Sequence, residues 1–288
     1  MNVSIIIVNY NTGDLLIDCI NSIEAQTRGV SYECIIVDNK SPQNCKDKIL
    51  KNFPYIKWIQ NDENVGFGRA NNVGAACANG KYLFFLNADT ILLNDALTDF
   101  YKFMEHNDPD NKIYGAIGAH LLNKELKPNV SGSLFLSPFD TLKYLYFSLR
   151  NKVLKHKLQE RIEYVIGADM FISKENFEKI GGFDKDYFMY CEEVDLQLRL
   201  YQLGLKNILI SSPQIIHLEG GSFGESQGIT LKRYYMWQKS IKIYTSKHFN
   251  IFQKIGWKIN QAIFGIPVIL KQDWSIHDKL KAYIYSIK

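Results

Sequence analysis

VSIIIVNYN, residues 3–11, is a run of β-branched apolar residues that ends in polar ones. Because apolar and polar positions do not alternate within the run, it predicts a strand buried on both faces, as in a parallel sheet. Three more apolar runs follow at residues 34–37, 56–59 and 82–86, and the segments between them carry apolar residues at helical spacing. Strands and helices that alternate in this way predict an α/β fold with a mostly parallel sheet.

Polar residues follow each of these four predicted strands. Ligands of open α/β sheets bind beyond the carboxyl ends of the strands, so these residues are expected to face one crevice. Amide and carboxylate oxygens at that place can hydrogen-bond a ligand and coordinate a divalent cation. The residues are Asn9, Tyr10 and Asn11, then Asp38 and Asn39, then residues 61–64, and finally Asn87, Ala88 and Asp89.

The second half of the chain has a looser pattern. Strands are predicted at residues 116–122, 164–172 and 206–210, and a helix at residues 192–203. A Gly/Ser-rich loop is predicted at residues 213–228, and this loop contains His217. Three amphipathic helical patterns follow, with breaks near Asn250 and Lys271.

Composition excludes several classes of protein. The 288 residues are 46% hydrophobic and 22% charged, which is typical of a globular chain with a full core and excludes disorder as the main state. Five cysteines without a CxxC pair predict neither a disulfide framework nor a structural zinc site. The sequence shows neither a basic leader pattern nor an uninterrupted apolar run of transmembrane length. Together with the cysteine pattern, this makes a reducing cytoplasm the expected compartment.

Basic residues concentrate toward the C-terminal end. Residues 229–288 contain 11 Lys or Arg and 2 acidic residues, whereas residues 1–228 contain 23 basic and 28 acidic ones. This asymmetry suggests two regions, a main domain at 1–228 and a basic helical extension at 229–288. The extension suits an anionic membrane surface on the inner face of the cell membrane, and solvated helix faces are the alternative. Nucleic acid is not expected as a partner.

A glycine-rich turn, NVGFGRANNVG at residues 64–74, leads from the third strand into a helix. Backbone N–H groups at such a helix start favour phosphate, and Arg69 can add a charged contact. The spacing approaches a dinucleotide fingerprint, but Asn71 stands in place of the third glycine and the turn follows the third strand rather than the first. A dehydrogenase and a helix start without a ligand therefore stay as alternatives.

Acidic residues concentrate at the predicted start of the helix at residues 192–203. Glu192, Glu193 and Asp195 can simply complement the helix dipole. Glu192 and Glu193 are adjacent, however, and point about 100° apart, so one can face a substrate cleft while the other does not. Asp195 and Arg199 are four residues apart and are expected to pair on one helix face.

Six ordered motifs together resemble glycosyltransferase family 2, in particular its rhamnosyltransferase branch. They are SIIIVNYN, VDN at 37–39, NVGFGRANNVG, LNAD at 86–89, GADM at 167–170, and the block from residue 181 that ends in EEVDLQLR at 192–199. The resemblance covers about residues 3–245. It implies the GT-A fold, a Rossmann-like nucleotide-binding sheet fused to an acceptor-binding half.

The resemblance also implies donor and metal sites. Asp38 is similar to the acid that holds the pyrimidine ring of a UDP- or dTDP-sugar. Asp89 is similar to the last acid of a DxD-type motif that binds Mg²⁺ or Mn²⁺, with Asn87 where many members have Asp. His217 is similar to a third contact to metal or diphosphate. The other implied donor-binding residues are Tyr10, Asn11, Gly66, Arg69, Asn71 and Ala88.

The resemblance further implies an inverting transfer with a carboxylate general base. Glu193 matches the second acid of the family's ED motif and is the first choice, with Asp195 second. Asp169 and Glu192 are expected on the acceptor side. The implied substrates are a nucleotide-sugar donor, rhamnose by branch, and a lipid-linked or oligosaccharide acceptor. An inactive sugar- or nucleotide-binding scaffold is the main alternative, and a nucleotidyltransferase is a weaker one because residues 9–13 lack its basic Gly-rich turn.

Overall fold

The computed structural model describes residues 1–138, 162–218 and 230–287. Eleven strands lie in these ranges. They are β1 (Val3–Asn9), β2 (Tyr32–Asp38), β3 (Lys57–Gln60), β4 (Tyr82–Leu86), β5 (Thr90–Leu92), β6 (Tyr114–Ala119), β7 (Gly132–Ser133), β8 (Tyr164–Val165), β9 (Asp169–Ser173), β10 (Lys206–Ile210) and β11 (Ile215–His217).

Nine helices lie in the same ranges. They are α1 (Gly13–Gln26), α2 (Lys46–Asn52), α3 (Phe67–Ala76), α4 (Ala96–Asn107), α5 (Lys174–Lys179), α6 (Glu192–Gln202), α7 (Leu231–His248), α8 (Ile251–Leu270) and α9 (Ile276–Ile287). The predicted breaks near Asn250 and Lys271 are confirmed. Asn250 forms a capping box with Gln253 and so starts α8.

A seven-stranded sheet carries the fold, in the order β10-β6-β9-β4-β1-β2-β3. Strands β4, β1, β2 and β3 run parallel, while β9 lies antiparallel between β4 and β6. The prediction of a mostly parallel α/β sheet is confirmed, and the antiparallel β9 makes the sheet mixed. Because β1, β2 and β4 are parallel, their carboxyl ends meet at one edge.

Burial of both sheet faces explains the unbroken apolar runs. Ile5 and Ile7 of β1 pack into one hydrophobic cluster, whereas Ile6 packs into a second one. Phe84 and Phe85 of β4 divide in the same way. Since successive side chains of a strand point to opposite faces, both faces select apolar residues at every position.

A small antiparallel sheet corrects one prediction. The loop predicted at residues 213–228 contains strand β11, which pairs with β5 so that His217 lies opposite Thr90. Local sequence showed only the turn-forming residues of this segment, whereas the β5 partner lies more than 120 residues away along the chain. The pairing therefore fixes His217 beside the residues that follow β4.

The C-terminal helices are packed against the rest of the chain. Ile241 and Tyr244 of α7 join Tyr187, Cys191 and Val194 in a third hydrophobic cluster. Helix α8 packs against α9, and α9 also contacts α7. The predicted boundary between residues 228 and 229 falls within 219–229, outside the described residues, so the two-region division stays a prediction. Among the described residues, no helix has the length and apolarity needed to cross a membrane.

Candidate active site

Asp89 and His217 meet at the carboxyl edge of the sheet. Asp89 follows β4, and its Oδ1 lies 3.4 Å from His217 Nε2. Asn87 Nδ2 lies 3.5 Å from the same nitrogen. The backbone N–H of Leu218 donates to the carbonyl of Asp89, which ties the two segments together. The sequence placed these residues 128 positions apart, and the pairing of β5 with β11 brings them into contact.

A cavity of about 520 Å³ opens beside this pair. Seven of the predicted site residues line it, namely Tyr10, Asn87, Ala88, Asp89, Glu192, Glu193 and His217. Asn39 and Asn64, which follow β2 and β3, also line the cavity. This supports the prediction that the polar residues after the four strands face one crevice. This volume is in the range of small-molecule sites in proteins.

Glu192 and Glu193 occupy the first turn of α6. Glu192 is only 3% exposed, and its Oε2 has no hydrogen-bond partner among the described residues. Burial raises the pKa of the Glu192 carboxyl well above its ordinary value, and the charge of Glu193 raises it further. Burial also raises the pKa of Glu193. Glu193 and Asp195 are the two residues predicted as the general base, and of these two only Glu193 lines the cavity.

The backbone before α6 is strained. Tyr190 and Cys191 have φ values of 71° and 65°, in the left-handed region that non-glycine residues seldom adopt. Such conformations cost about 1–3 kcal/mol each and persist where surrounding contacts impose them. Here the Arg233 Nε donates to the Tyr190 hydroxyl at 3.1 Å, and the Ser240 hydroxyl donates to the Met189 carbonyl at 2.7 Å. Helix α7 therefore holds the turn that presents Glu192 and Glu193.

Asp195 is a buried structural acid. Its carboxylate accepts hydrogen bonds from Arg199 Nε at 2.9 Å and Nη2 at 2.7 Å, and from His248 Nε2 at 2.7 Å. The Tyr187 hydroxyl lies 3.4 Å away. Arg199 also donates to the carbonyl of Gly182. The predicted pairing of Asp195 with Arg199 is confirmed, and the side chain does not line the cavity.

Asp38 and Asn11 lie near the cavity without lining it. The Asp38 carboxylate ends β2 and accepts from Asn9 Nδ2 at 2.6 Å, from Gln60 Nε2 at 2.7 Å and from the Ser41 N–H at 2.9 Å. Asn11 occupies a left-handed turn with φ 57°, and its side-chain oxygen accepts from the backbone of Gln43. Their contacts to a nucleoside stay predictions.

The glycine-rich turn packs against the segment that leads to α6. Gly66 has φ 88° and lies directly on the Phe188 backbone, where a Cβ would collide with the carbonyl oxygen. Arg69 Nε donates to the Lys185 carbonyl at 2.7 Å, and Asn71 Nδ2 donates to the Phe67 carbonyl at 3.2 Å. None of these three predicted donor-binding residues lines the cavity, and their donor contacts stay predictions.

Asp169 begins β9 and is fully buried. Its Oδ2 accepts from the Ala119 N–H at 2.6 Å, whereas Oδ1 has no hydrogen-bond partner among the described residues. Burial raises the pKa of this carboxyl well above its ordinary value. Ala168 lines the cavity but Asp169 does not, so the predicted acceptor-side role gains no support from the geometry.

Sequence reasoning missed part of the cavity wall. Phe188, Met189 and Tyr190 line it from the strained turn, and Lys232, Arg233 and Met236 line it from α7. The basic residues were visible as part of the charged C-terminal region, but nothing local indicated that they face the residues that follow β4. For residues 188–190, the signal available in the sequence was their position just before the acidic motif at residues 192–193.

The donor set at Asp89 and His217 fits a divalent cation. A carboxylate oxygen and an imidazole nitrogen converge within 3.4 Å at the cavity wall, and Asn87 adds an amide. Mg²⁺ commonly takes one or two carboxylates from the protein and its other ligands from substrate phosphates and water. Among the described residues no group of three His, Cys, Asp or Glu side chains forms a complete metal cage. A site shared with substrate phosphates is consistent with this arrangement.

A mixed, mostly parallel sheet with acidic residues and a histidine around a cavity at its carboxyl edge agrees with the GT-A fold that the sequence motifs imply. The family model for glycosyl transferase family 2 matches residues 4–181, and the chain belongs to that family. The protein is a glycosyltransferase. The predicted family and fold are thereby confirmed.

Two curated relatives are rhamnosyltransferases. The chain is 28% identical over 227 residues to rhamnosyltransferase WbbL of Escherichia coli, covering 75% of this chain and 83% of that one. It is 24% identical over 252 residues to N-acetylglucosaminyl-diphospho-decaprenol L-rhamnosyltransferase of Mycobacterium tuberculosis, covering 76% and 77%. The predicted rhamnosyltransferase resemblance is supported at this moderate identity.

Solved structures share the fold at low identity. GalNAc-T7, crystallised with UDP, GalNAc and Mn²⁺, superposes with a TM-score of 0.67 at 16% identity over 98% of this chain. The present chain spans 53% of that protein. A mannosyltransferase of Pyrobaculum calidifontis, in complex with GDP-Man and Mn²⁺, superposes with a TM-score of 0.60 at 15% identity, covering 98% of this chain and 73% of that one.

Proposed function

We propose that this glycosyltransferase performs an inverting transfer of a sugar, rhamnose, from a dTDP- or UDP-linked donor to a hydroxyl of a lipid-linked acceptor. The observation that carries the proposal is that one cavity is lined by the carboxylate of Glu193 and by the Asp89–His217 pair. A base for the acceptor and a site for the leaving diphosphate therefore border the same space.

Glu193 is assigned as the general base. The acceptor oxygen forms a bond to the anomeric carbon as the bond from that carbon to the diphosphate oxygen breaks, and the diphosphate leaves with the electron pair. The proton of the acceptor hydroxyl passes to a Glu193 carboxylate oxygen. A positioned base contributes about 10²–10⁴-fold, and a carboxyl whose pKa is raised by burial accepts a proton more readily near neutral pH.

Asp89 and His217 are assigned to hold Mg²⁺ or Mn²⁺ together with the donor diphosphate. The cation would neutralise charge that develops on the leaving group. The contribution of the chain is to hold these two side chains at the cavity wall through the β5–β11 pairing and the Leu218 hydrogen bond. The Mn²⁺ in the two structural neighbours supports a divalent cation, without distinguishing it from Mg²⁺.

Rhamnose and a lipid-linked acceptor are supported by the relatives. Both curated relatives described above are named rhamnosyltransferases, and the mycobacterial one is named for a diphospho-decaprenol acceptor. A cytoplasmic enzyme at the inner membrane face would meet such an acceptor at the bilayer surface.

Calorimetric titration of UDP, dTDP and GDP, each with and without Mn²⁺, tests the donor site. We expect UDP or dTDP to bind only with the metal, and Asp89→Ala to weaken that binding at least tenfold. Asp110→Ala is the control, because Asp110 is an exposed surface acid that does not line the cavity. Failure of all three nucleotides to bind in the presence of metal would instead support the inactive-scaffold alternative.

The C-terminal helices present an apolar face that we propose docks on an anionic bilayer. Exposed apolar residues of α8 recur at helical spacing, and α9 continues the pattern with Ile276, Leu280 and Ile284. Exposed lysines accompany them at Lys258 and Lys271. Apolar residues and lysines together match the interfacial acyl layer and anionic headgroups. The exposed large apolar residues among the described side chains of α8 are Ile251, Phe252, Ile255, Ile259, Ile263, Ile266 and Leu270.

Flotation with phosphatidylglycerol vesicles tests this face. The triple variant Ile255→Ser, Ile259→Ser and Ile263→Ser should lose vesicle binding, and neutral vesicles should bind the unmodified chain more weakly. Leu126→Ser with Val130→Ser is the control, because both residues are exposed apolar positions outside the helices. Unchanged flotation of the triple variant would refute the assignment, as would a dimer of the unmodified chain that becomes monomeric in that variant.

A further inference from the structure

We infer that Lys232 and Arg233, at the start of α7, form a diphosphate-binding element of the active site. This inference deepens the proposed function and rests on it. Both residues line the cavity that Asp89, His217 and Glu193 also line. Helix α7 thus contributes two cations to the cavity wall. Among the described residues, the other charged side chains of that wall are mainly acidic.

The placement of the two cations is unfavourable for the helix alone. The first turn of α7 contains no acidic residue, and its N-terminal N–H groups carry partial positive charge. Lys232 and Arg233 therefore add positive charge where the helix dipole is already positive. An anion in the cavity would be attracted by the dipole and by both side chains, which offsets that repulsion.

A second observation shows that the cavity wall is built for a ligand. Glu192 is 97% buried, given its 3% exposure, and its Oε2 lacks a hydrogen-bond partner among the described residues although it lines the same cavity. Leaving a buried polar atom without a partner is unfavourable, and a bound molecule with a hydrogen-bond donor would satisfy it. A sugar hydroxyl beside a diphosphate group supplies that donor.

Contacts along α7 hold the start of this helix at the cavity wall. Arg233 Nε donates to the Tyr190 hydroxyl at 3.1 Å, and the Thr230 hydroxyl caps the helix by accepting from the Arg233 N–H. At the other end of α7, Lys247 forms ion pairs with Asp184 and Asp186. Because both ends of the helix are anchored to the segment before α6, Lys232 and Arg233 belong to the cavity wall that Glu193 also lines rather than to a free tail.

The group that the two cations would bind is a diphosphate, and both proposed substrates, the donor and the acceptor, contain one. The donor loses a nucleoside diphosphate, and a lipid-linked acceptor of the proposed class carries a diphosphate next to its first sugar. Lysine binds phosphate as a point charge and arginine through its planar fork of donors. Inorganic pyrophosphate reports on the shared chemistry, whereas UDP and geranyl diphosphate distinguish its sources.

Calorimetry with the full chain and excess Mg²⁺ tests the inference. We expect Lys232→Gln and Arg233→Gln each to weaken pyrophosphate binding about tenfold, and the double variant more strongly. Lys239→Gln is the matched control, since Lys239 is an exposed cation of the same helix that does not line the cavity.

The outcomes separate this inference from the proposed function. Loss of UDP affinity in the double variant assigns the element to the donor, and loss of geranyl diphosphate affinity assigns it to the acceptor. Pyrophosphate binding that needs both cations, in a chain that binds no nucleoside diphosphate, would support the inference and contradict the proposed function. Pyrophosphate, UDP and geranyl diphosphate affinities all within twofold of the unmodified chain in the double variant would overturn the inference.

Discussion

Asp195→Asn should lower the free energy of unfolding of the protein and leave its proposed general base, Glu193, in place. The Asp195 carboxylate accepts hydrogen bonds at 2.7–2.9 Å from Arg199 and His248 and is fully buried. Removing one charge of a buried pair costs about 3–5 kcal/mol, and the amide keeps one oxygen for Arg199, so we expect the lower end, about 3 kcal/mol. At about 2.1 cal/mol/K per residue, the unfolding entropy of 288 residues is about 0.6 kcal/mol/K. The melting temperature should therefore fall by about 5 °C.

Glu193→Gln should show the opposite behaviour. The amide keeps the shape of the side chain but cannot take the acceptor proton, so kcat should fall about 10²–10⁴-fold. Its melting temperature should stay unchanged or rise, because burial disfavours the charged carboxylate.

Thermal melting and initial rates, measured well below both transitions, provide the comparison. A variant Asp195→Asn that melts within 1 °C of the unmodified protein would refute the magnitude derived from its hydrogen bonds. A fall in kcat for Asp195→Asn as large as that for Glu193→Gln, in a folded sample, would refute Glu193 as the general base and favour Asp195.

Three further predictions concern pH, metal and stability. The acid limb of the kcat/KM profile should lie above the ordinary Glu range of about 4.3, because burial raises the pKa of Glu193 and its carboxylate must be ionised to act; a limb at about 4.3 would contradict this. Asn87→Asp should tighten Mn²⁺ binding about tenfold, measured by electron paramagnetic resonance with UDP present, since it adds a carboxylate beside His217; unchanged affinity would remove Asn87 from the metal site. Asp169→Asn should stabilise the fold increasingly as pH rises above about 4, because the raised pKa of Asp169 means that the folded state binds the proton more tightly than the unfolded state; melting curves at pH 4 and pH 8 with equal differences would contradict this.

Local sequence was sufficient for most elements of the sheet. The predicted bounds 82–86 and 206–210 coincide with β4 and β10, and the predicted helix at 192–203 begins with α6 at Glu192. Burial on both faces leaves an unbroken apolar run, and a helix start leaves acidic residues in its first turn. Both signals reside within a few consecutive residues, so they can be read without knowing what packs against them.

The site was predictable only in part. Residues after parallel strands must meet at one edge, which is why Tyr10, Asn87 and Asp89 were placed correctly around a common cavity. Asp195 resembles Glu193 in sequence, two residues away on the same helix, but only the folded chain shows that it is enclosed by Arg199 and His248. Charge alone does not tell which acid faces a cavity and which one faces a partner.

By itself the sequence determined the α/β architecture, the polar crevice at the strand ends and, through its ordered motifs, the family. Tertiary structure decided the antiparallel insertion of β9, the pairing that brings His217 to Asp89, and the direction of Lys232 and Arg233 toward the cavity. The physical reason is that periodicity and helix capping depend on neighbours within about one turn or one strand, whereas these three arrangements join segments far apart in the chain. Their free energy comes from packing and hydrogen bonds that exist only once the whole chain has closed around its core.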